Sequence, residues 1–377
     1  MKIIARDLSN QIIRKLQPNK VVVVYGARRV GKTVLIKDLM KQVDEPVLLL
    51  NGEDIHVHDR LALKSVENYR QLLGSHKLLI IDEAQKIPEI GLKLKLMVDE
   101  IEGLRVIISG SSSLDILQGS GEPLTGRKYT FALFPLSDNE FNQVEDSITT
   151  MDRMQERLVF GNYPELIHFE DRQDKIDYLN ELVSSYLLKD ILVYENIRNS
   201  HKIFNLLRLI AFQIGGEVSL QEIGQQLGMS KNTAEKYLDL LRKVFVLHKV
   251  EGFSRNLRKE ITKNSRWYFL DNGIRNAVIA NFNPIEARND TGVLWENYII
   301  AERLKHQAYQ RLSVNNYFWR TYDKQEIDWV EEREGGLFGY ELKWKETKAK
   351  VPTQWAKAYP DASFELITRE NYKSWLS

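Results

Sequence analysis

The sequence predicts an α/β multidomain chain, on three observations. In the first 135 or so residues, short β-branched and aliphatic runs alternate with helical patterns. From Met151 to Arg242 the pattern is almost entirely helical, and the last ninety or so residues mix one helix with strand-like pieces. At 377 residues the chain is too long for one ordinary core. The expected division is 1–140, 141–272 and 273–377.

Val21–Tyr25, Val47–Leu50, Leu78–Ile81 and Val106–Ser109 are continuous apolar runs, the signature of parallel strands buried on both faces. Helical patterns such as Lys32–Val43 lie between them, so helices are expected to cover the sheet. The opening MKIIARDLSNQIIRKL reads as an amphipathic helix, and Ser111–Lys128 as a Gly- and Ser-rich loop. In the middle, Ser219–Lys243 splits into two helices joined by Leu227-Gly228-Met229-Ser230, with apolar runs following at Val244–Val250 and Trp267–Leu270. Near the end a helix is expected at Gly292–Gln307, with strands at Asn316–Trp319, Ile327–Glu331 and Leu337–Trp344.

Hydrophobic residues make up 43% and charged residues 28%, ordinary for a soluble globular chain. The formal net charge of +1 means that any affinity for nucleic acid must come from a local patch. With no cysteine, disulfides, thiolate metal sites and a cysteine nucleophile are excluded, which fits a reducing, cytoplasmic setting. No apolar run reaches the roughly eighteen residues of a membrane span, and the N-terminus lacks a signal peptide's apolar core.

Gly26-Ala27-Arg28-Arg29-Val30-Gly31-Lys32-Thr33 matches the phosphate-binding loop G-x-x-x-x-G-K-[ST] in full, with a strand before it and a helix after it. The glycines let backbone N–H groups turn inward onto phosphate oxygens, and the following helix adds its positive end. Lys32 is expected at the β- and γ-phosphates and Thr33 on Mg²⁺. About fifty residues on, Leu78-Leu79-Ile80-Ile81 ends in Asp82-Glu83. Asp82 suits the Mg²⁺ shell, and Glu83 suits orienting and deprotonating an attacking water. Together these motifs point to binding and hydrolysis of ATP.

A polar side chain after Val106–Ser109 would lie between the two motifs and sense the γ-phosphate; Ser111 is the first candidate and Ser109 the second. Arg127 is a candidate arginine finger, in cis or in trans. Action in trans would require a homo-oligomer.

The segment from Ser219 to Leu241 has helix-turn-helix spacing. Ser219 and Glu222 form a capping box, Gly228 ends the first helix and Ser230 caps the second. Ile223, Leu227, Ala234, Leu238 and Leu241 would make the internal core, leaving Lys231, Asn232, Thr233 and Lys236 for DNA or RNA. Ten Lys/Arg against four Asp/Glu between Met229 and Arg266 make a local basic excess. Docking between domains is the other reading of such a helix pair.

In the last part Asp328, Glu341 and Lys343 form a D-x(n)-E-x-K pattern on adjacent strands, and the period of two puts Glu341 and Lys343 on one face. With Glu296 added, three carboxylates and a lysine would suit a Mg²⁺ site for phosphodiester cleavage, Lys343 acting on the water. A solvated strand face is the alternative. Trp319 and Arg320 are candidates for packing and phosphate contact.

GARRVGKT, LLIIDEAQKI, ISGSSS, LTGRKYTFALFPLSDNEF, GNYPEL, NTAEKYLDLL, WYFLDNGIR and GVLWENYI occur in this order along nearly all the chain. The chain thereby resembles the AAA+ superfamily over roughly residues 15–140. Over its whole length it is similar to a bacterial and archaeal family of ATPases with an AAA domain fused to a C-terminal domain of unknown function. The resemblance implies a P-loop NTPase parallel sheet, a winged-helix middle and a restriction-endonuclease-like C-terminal domain. Two functions remain open: an ATPase acting on nucleic acid, or a regulatory ATPase whose C-terminal domain only binds partners.

Overall fold

The computed structural model describes residues 3–111, 124–187, 200–254, 265–345 and 348–376. Most of the expected Gly/Ser-rich loop lies outside them. The chain divides into two compact units, Met1–Val144 and Glu145–Ser377.

Among the described residues, the first unit holds strands β1 (Lys20–Tyr25), β2 (Val47–Asn51), β3 (Leu78–Asp82), β4 (Arg105–Gly110) and β5 (Lys128–Ala132). They form one sheet in the order β2-β3-β4-β1-β5. Every neighbouring pair is parallel. The four expected runs are β1 to β4. The sequence pattern missed β5 because it is an edge strand with only Phe131 fully buried, so it carries no apolar run.

Val21, Val22, Val23 and Val24 are wholly buried, and each such burial contributes about 1.5–3 kcal/mol. The helices are α1 (Ser9–Lys15), α2 (Lys32–Lys41), α3 (Ile55–Ala62), α4 (Val66–Leu73), α5 (Ile90–Glu100) and the single turn α6 (Asp138–Phe141). Leu61, Tyr69, Leu94 and Met97 from α3, α4 and α5 pack with Val21, Val23, Leu79 and Ile81 in one core. The expected N-terminal helix is shorter than its pattern. Residues before Ser9 run outside it, with Ile4, Arg6 and Leu8 buried.

The second unit opens with α7 (Ser147–Phe160), α8 (Arg172–Glu181) and α9 (Ser200–Phe212). Then follow β6 (Glu217–Val218), α10 (Leu220–Leu227), α11 (Lys231–Lys243), β7 (Leu247–Gly252) and β8 (Ser265–Phe269). Then come α12 (Asn272–Val278), α13 (Thr291–Gln310), β9 (Asn315–Arg320), β10 (Glu326–Arg333), β11 (Gly336–Leu342), α14 (Thr353–Ala358), β12 (Ser363–Ile367) and the single turn α15 (Tyr372–Trp375).

The strands make a seven-stranded sheet, β12-β11-β10-β9-β7-β8-β6. β7 joins its two parts, antiparallel to β8 and parallel to β9, so one sheet runs across the chain position 272/273. The α10–α11 turn keeps the expected caps and the left-handed glycine, but of the capping box at Ser219 only the half made by the serine side chain is present. Ser219 accepts the Glu222 N–H at 3.3 Å, Gly228 is left-handed, and Ser230 accepts the Thr233 N–H at 3.1 Å. Ile223, Ala234, Leu238 and Leu241 are buried between the helices, while Leu227 is only half-buried.

Candidate nucleotide site

Parallel pairing brings the carboxyl ends of β1, β3 and β4 to one edge of the sheet, where α/β folds hold ligands. The phosphate-binding loop leaves β1 at Tyr25 and re-enters the fold as α2. An added Cβ at Gly26 would sit 2.0 Å from the Leu133 carbonyl oxygen, so the loop can start here only with glycine. Arg29 and Gly31 are left-handed, at φ 62° and 95°. Such alternation curls the backbone into a concave nest of N–H groups suited to an anion.

Lys32 is buried, and its ammonium donates to the carbonyls of Gly26 at 3.1 Å and Ala27 at 2.9 Å. Beside it the Thr33 hydroxyl donates to Asp82 Oδ2 at 2.6 Å. A hydroxyl and a carboxylate side by side are a donor set that fits Mg²⁺. Ser109 is wholly buried at the end of β4 and donates to Asp82 Oδ1. The Glu83 N–H is held by Asp82 Oδ1 and Ser109 Oγ, each at 3.2 Å.

Ser109, the second candidate on its strand, is therefore the one in contact with Asp82. Ser111 instead accepts from Gln85 Nε2 at 3.3 Å. Gln85 also donates to Glu83 Oε2 at 2.5 Å. Sequence reasoning assigned Gln85 no role, although it stands two residues after the carboxylate pair.

Arg6 was missed as well. Its guanidinium donates to Glu140 Oε1 at 2.9 Å, to the Val30 carbonyl of the loop at 2.6 Å and to the Phe134 carbonyl at 2.7 Å. Glu140 is fully buried and closes a capping box with Ser137. The Ser-x-x-Glu spacing in Leu-Ser-Asp-Asn-Glu was the available signal for that box.

Arg127 lies at the opposite end of the sheet. Its carbonyl accepts the Val21 N–H at 2.8 Å where β1 begins, and its side chain pairs with Asp99 at 2.5 Å. Three residues of extended strand, Val22, Val23 and Val24, separate Val21 from the end of β1 at Tyr25, where the phosphate-binding loop begins.

In the second unit Glu296, Asp328, Glu341 and Lys343 do come together. The Lys343 ammonium is 2.6 Å from Glu341 and 3.7 Å from Asp328. The cluster also contains Arg266, 3.8 Å from Asp328 and 3.0 Å from Glu326, and Tyr268, whose hydroxyl donates to Glu296 at 2.8 Å. Among the described residues no three His, Asp or Glu side chains are arranged to hold a metal ion. Beyond the expected set, Asp328 faces a second cation, Arg266, and accepts the Leu342 N–H at 3.0 Å. Arg320 pairs with Glu217 at 2.9 Å, and Trp319 packs edge-on against Trp355 at 5.3 Å.

Burial, and next the charge of Asp328, push the Glu296 carboxyl up to about 7. A carboxyl raised above its ordinary value of 4.5 holds a proton in the fold that the unfolded chain has released. Its contribution to stability is complete below that ordinary value and is lost as pH rises through about 7. Glu296→Gln is expected to flatten the decline in stability over this window, read from denaturation midpoints against pH. An unchanged slope would refute this assignment.

On α11, Lys231, Asn232 and Lys236 are exposed, while the Thr233 hydroxyl pairs with Ser230 at 2.9 Å. Arg255, Arg258, Lys259 and Lys263 of the basic excess lie outside the described residues.

Sheet order, loop and the Thr33–Asp82–Glu83 set define the first unit as a P-loop ATPase domain. Residues 18–142 match the family described as AAA domain. Residues 151–285 and 291–370 match two domains of unknown function, DUF8612 and DUF4143.

A protein of Mycobacterium tuberculosis is 26% identical over 346 residues, 91% of this chain and 74% of the relative. One from Methanocaldococcus jannaschii is 25% identical over 352 residues, 87% and 75% respectively. Both are described as uncharacterized proteins. The Walker-type ATPase PABY2304 of Pyrococcus abyssi shares the fold, with a TM-score of 0.52 over 74% of this chain and 96% of that one at 13% identity. No helix among the described residues is long and apolar enough to cross a membrane.

Proposed function

We propose that the protein is a Mg²⁺-dependent ATPase that acts on nucleic acid through the α10–α11 pair. The observation that carries the ATPase reading is the Thr33 hydroxyl 2.6 Å from the Asp82 carboxylate at the mouth of the phosphate-binding loop.

The loop amides from Gly26 to Thr33 and the Lys32 ammonium bind the phosphates. Thr33 and Asp82 would hold Mg²⁺, which would supply neutralisation of the phosphate charge. Glu83 accepts a proton from water as its oxygen attacks the γ-phosphorus. The bond from that phosphorus to the bridging oxygen breaks, and ADP leaves with the electron pair. Ser109 keeps Asp82 in place. Release of phosphate from Mg·ATP by the purified protein tests this reading, and absence of both binding and turnover refutes it.

The nucleic-acid reading is supported by α11, whose capped first turn presents Lys231 and Asn232 to solvent, with Lys236 exposed one turn further on. With β7 and β8 following as an antiparallel pair, the segment reads as a winged helix. Replacing Lys231 and Lys236 by Ala is expected to weaken duplex binding uniformly across sequences. It should also reduce the slope of log K against log salt by about 2, one per lost phosphate contact. A slope equal to wild type would leave the pair as a docking element.

For the C-terminal cluster we favour binding over cleavage, because Arg266 and Lys343 already accompany its carboxylates. From its end of the sheet Arg127 would act as a finger in trans, on a neighbouring copy.

A further inference from the structure

We propose that Gln85 is a positioning residue that holds the Glu83 carboxylate for proton abstraction and links it, through Ser111, to the end of β4. The inference rests on the ATPase reading above and assigns a role to a residue outside both motifs.

Glu83 leaves β3 in a left-handed conformation, φ 50° and ψ 41°, which few residues other than glycine adopt. Its backbone is held there by Asp82 and Ser109, as described. A single turn, Ala84–Lys86, follows and carries Gln85 back over the carboxylate. There the Gln85 amide nitrogen donates to Glu83 Oε2 at 2.5 Å and to Ser111 Oγ at 3.3 Å. With Oε2 occupied by a neutral donor, Oε1 is left as the oxygen that takes the proton from water.

The orientation of the amide follows from charge. A reversed amide would set its oxygen against the carboxylate. In the orientation adopted, the Gln85 carbonyl oxygen is buried without a hydrogen-bond partner. The amide is thus fixed by its nitrogen, which bridges Glu83 Oε2 and Ser111 Oγ.

The test uses the full chain and measures ATP affinity, kcat and the pH dependence of kcat. Gln85→Ala is expected to keep nucleotide affinity within about twofold and to lower kcat by about 10–100-fold, since a carboxylate displaced by about 1 Å costs rate on that scale. Gln85→Glu sets a like charge beside Glu83, and its acid limb in the kcat profile is expected to move to higher pH. Ser111→Ala added to Gln85→Ala should cost nothing further, because both act through one bond.

Three results overturn the proposal: Gln85→Ala at wild-type kcat, affinity and kcat falling together, or an unmoved acid limb in Gln85→Glu. A wild-type protein with no turnover removes the ATPase reading and this one with it. A wild type that turns over beside an equally fast Gln85→Ala removes this one alone.

Discussion

Glu83→Gln is expected to bind Mg·ATP as tightly as the wild type and to hydrolyse it about 10²- to 10⁴-fold more slowly, the usual contribution of a placed general base. The amide keeps the size of the carboxylate but cannot take the proton. Nothing on the phosphate side changes: the loop amides, Lys32, Thr33 and Asp82 are untouched, and the Glu83 N–H bonds to Asp82 and Ser109 belong to the backbone. Lys32→Ala makes the contrast. It removes the ammonium held at the Gly26 and Ala27 carbonyls and should abolish binding and turnover together. Nucleotide titration beside single-turnover phosphate release separates the two. Equal loss of affinity in both variants would show that Glu83 is part of the binding shell and not the base.

Arg6→Ala is expected to destabilise the first unit by about 3–5 kcal/mol, the range for removing one partner of a buried ion pair. Arg6 and Glu140 have side-chain exposures of 5% and 0%, so solvent screens them little. Loss of the guanidinium would leave the Glu140 carboxylate buried with backbone N–H donors alone, among them Asp7 and Ser137 at 2.9 Å. It would also release the Val30 and Phe134 carbonyls, and Val30 precedes the last glycine of the phosphate-binding loop. Weaker ATP binding should therefore accompany the fall in denaturation midpoint. Arg6→Lys keeps the charge but not the planar fork that reaches three acceptors, so it should recover only part of the loss. A midpoint within about 1 kcal/mol of wild type for Arg6→Ala would refute the clamp.

Several site residues were legible because the physics that places them is short-range. The loop from Gly26 to Thr33 is eight consecutive residues whose backbone needs glycine at two positions and a buried strand in front. Asp82 and Glu83 follow directly on an apolar run, so strand and site are read together. The α10–α11 turn is likewise carried by Ser219, Gly228 and Ser230, each acting within four residues of its own position.

By itself, then, the sequence determined the phosphate-binding loop, the carboxylates at the end of β3, four of the five parallel strands and the capped helix pair. Each follows from local backbone preference and the burial period of a single element. Only the tertiary structure decided which serine reaches Asp82, that Arg6 reaches Glu140 across 134 positions, that Arg127 lies at the far end of β1, and that Arg266 joins Asp328. Those contacts depend on strand order and on which polar groups share a buried space. Neither leaves a periodic mark in the chain, because a buried charge finds its partner through the packing of distant elements.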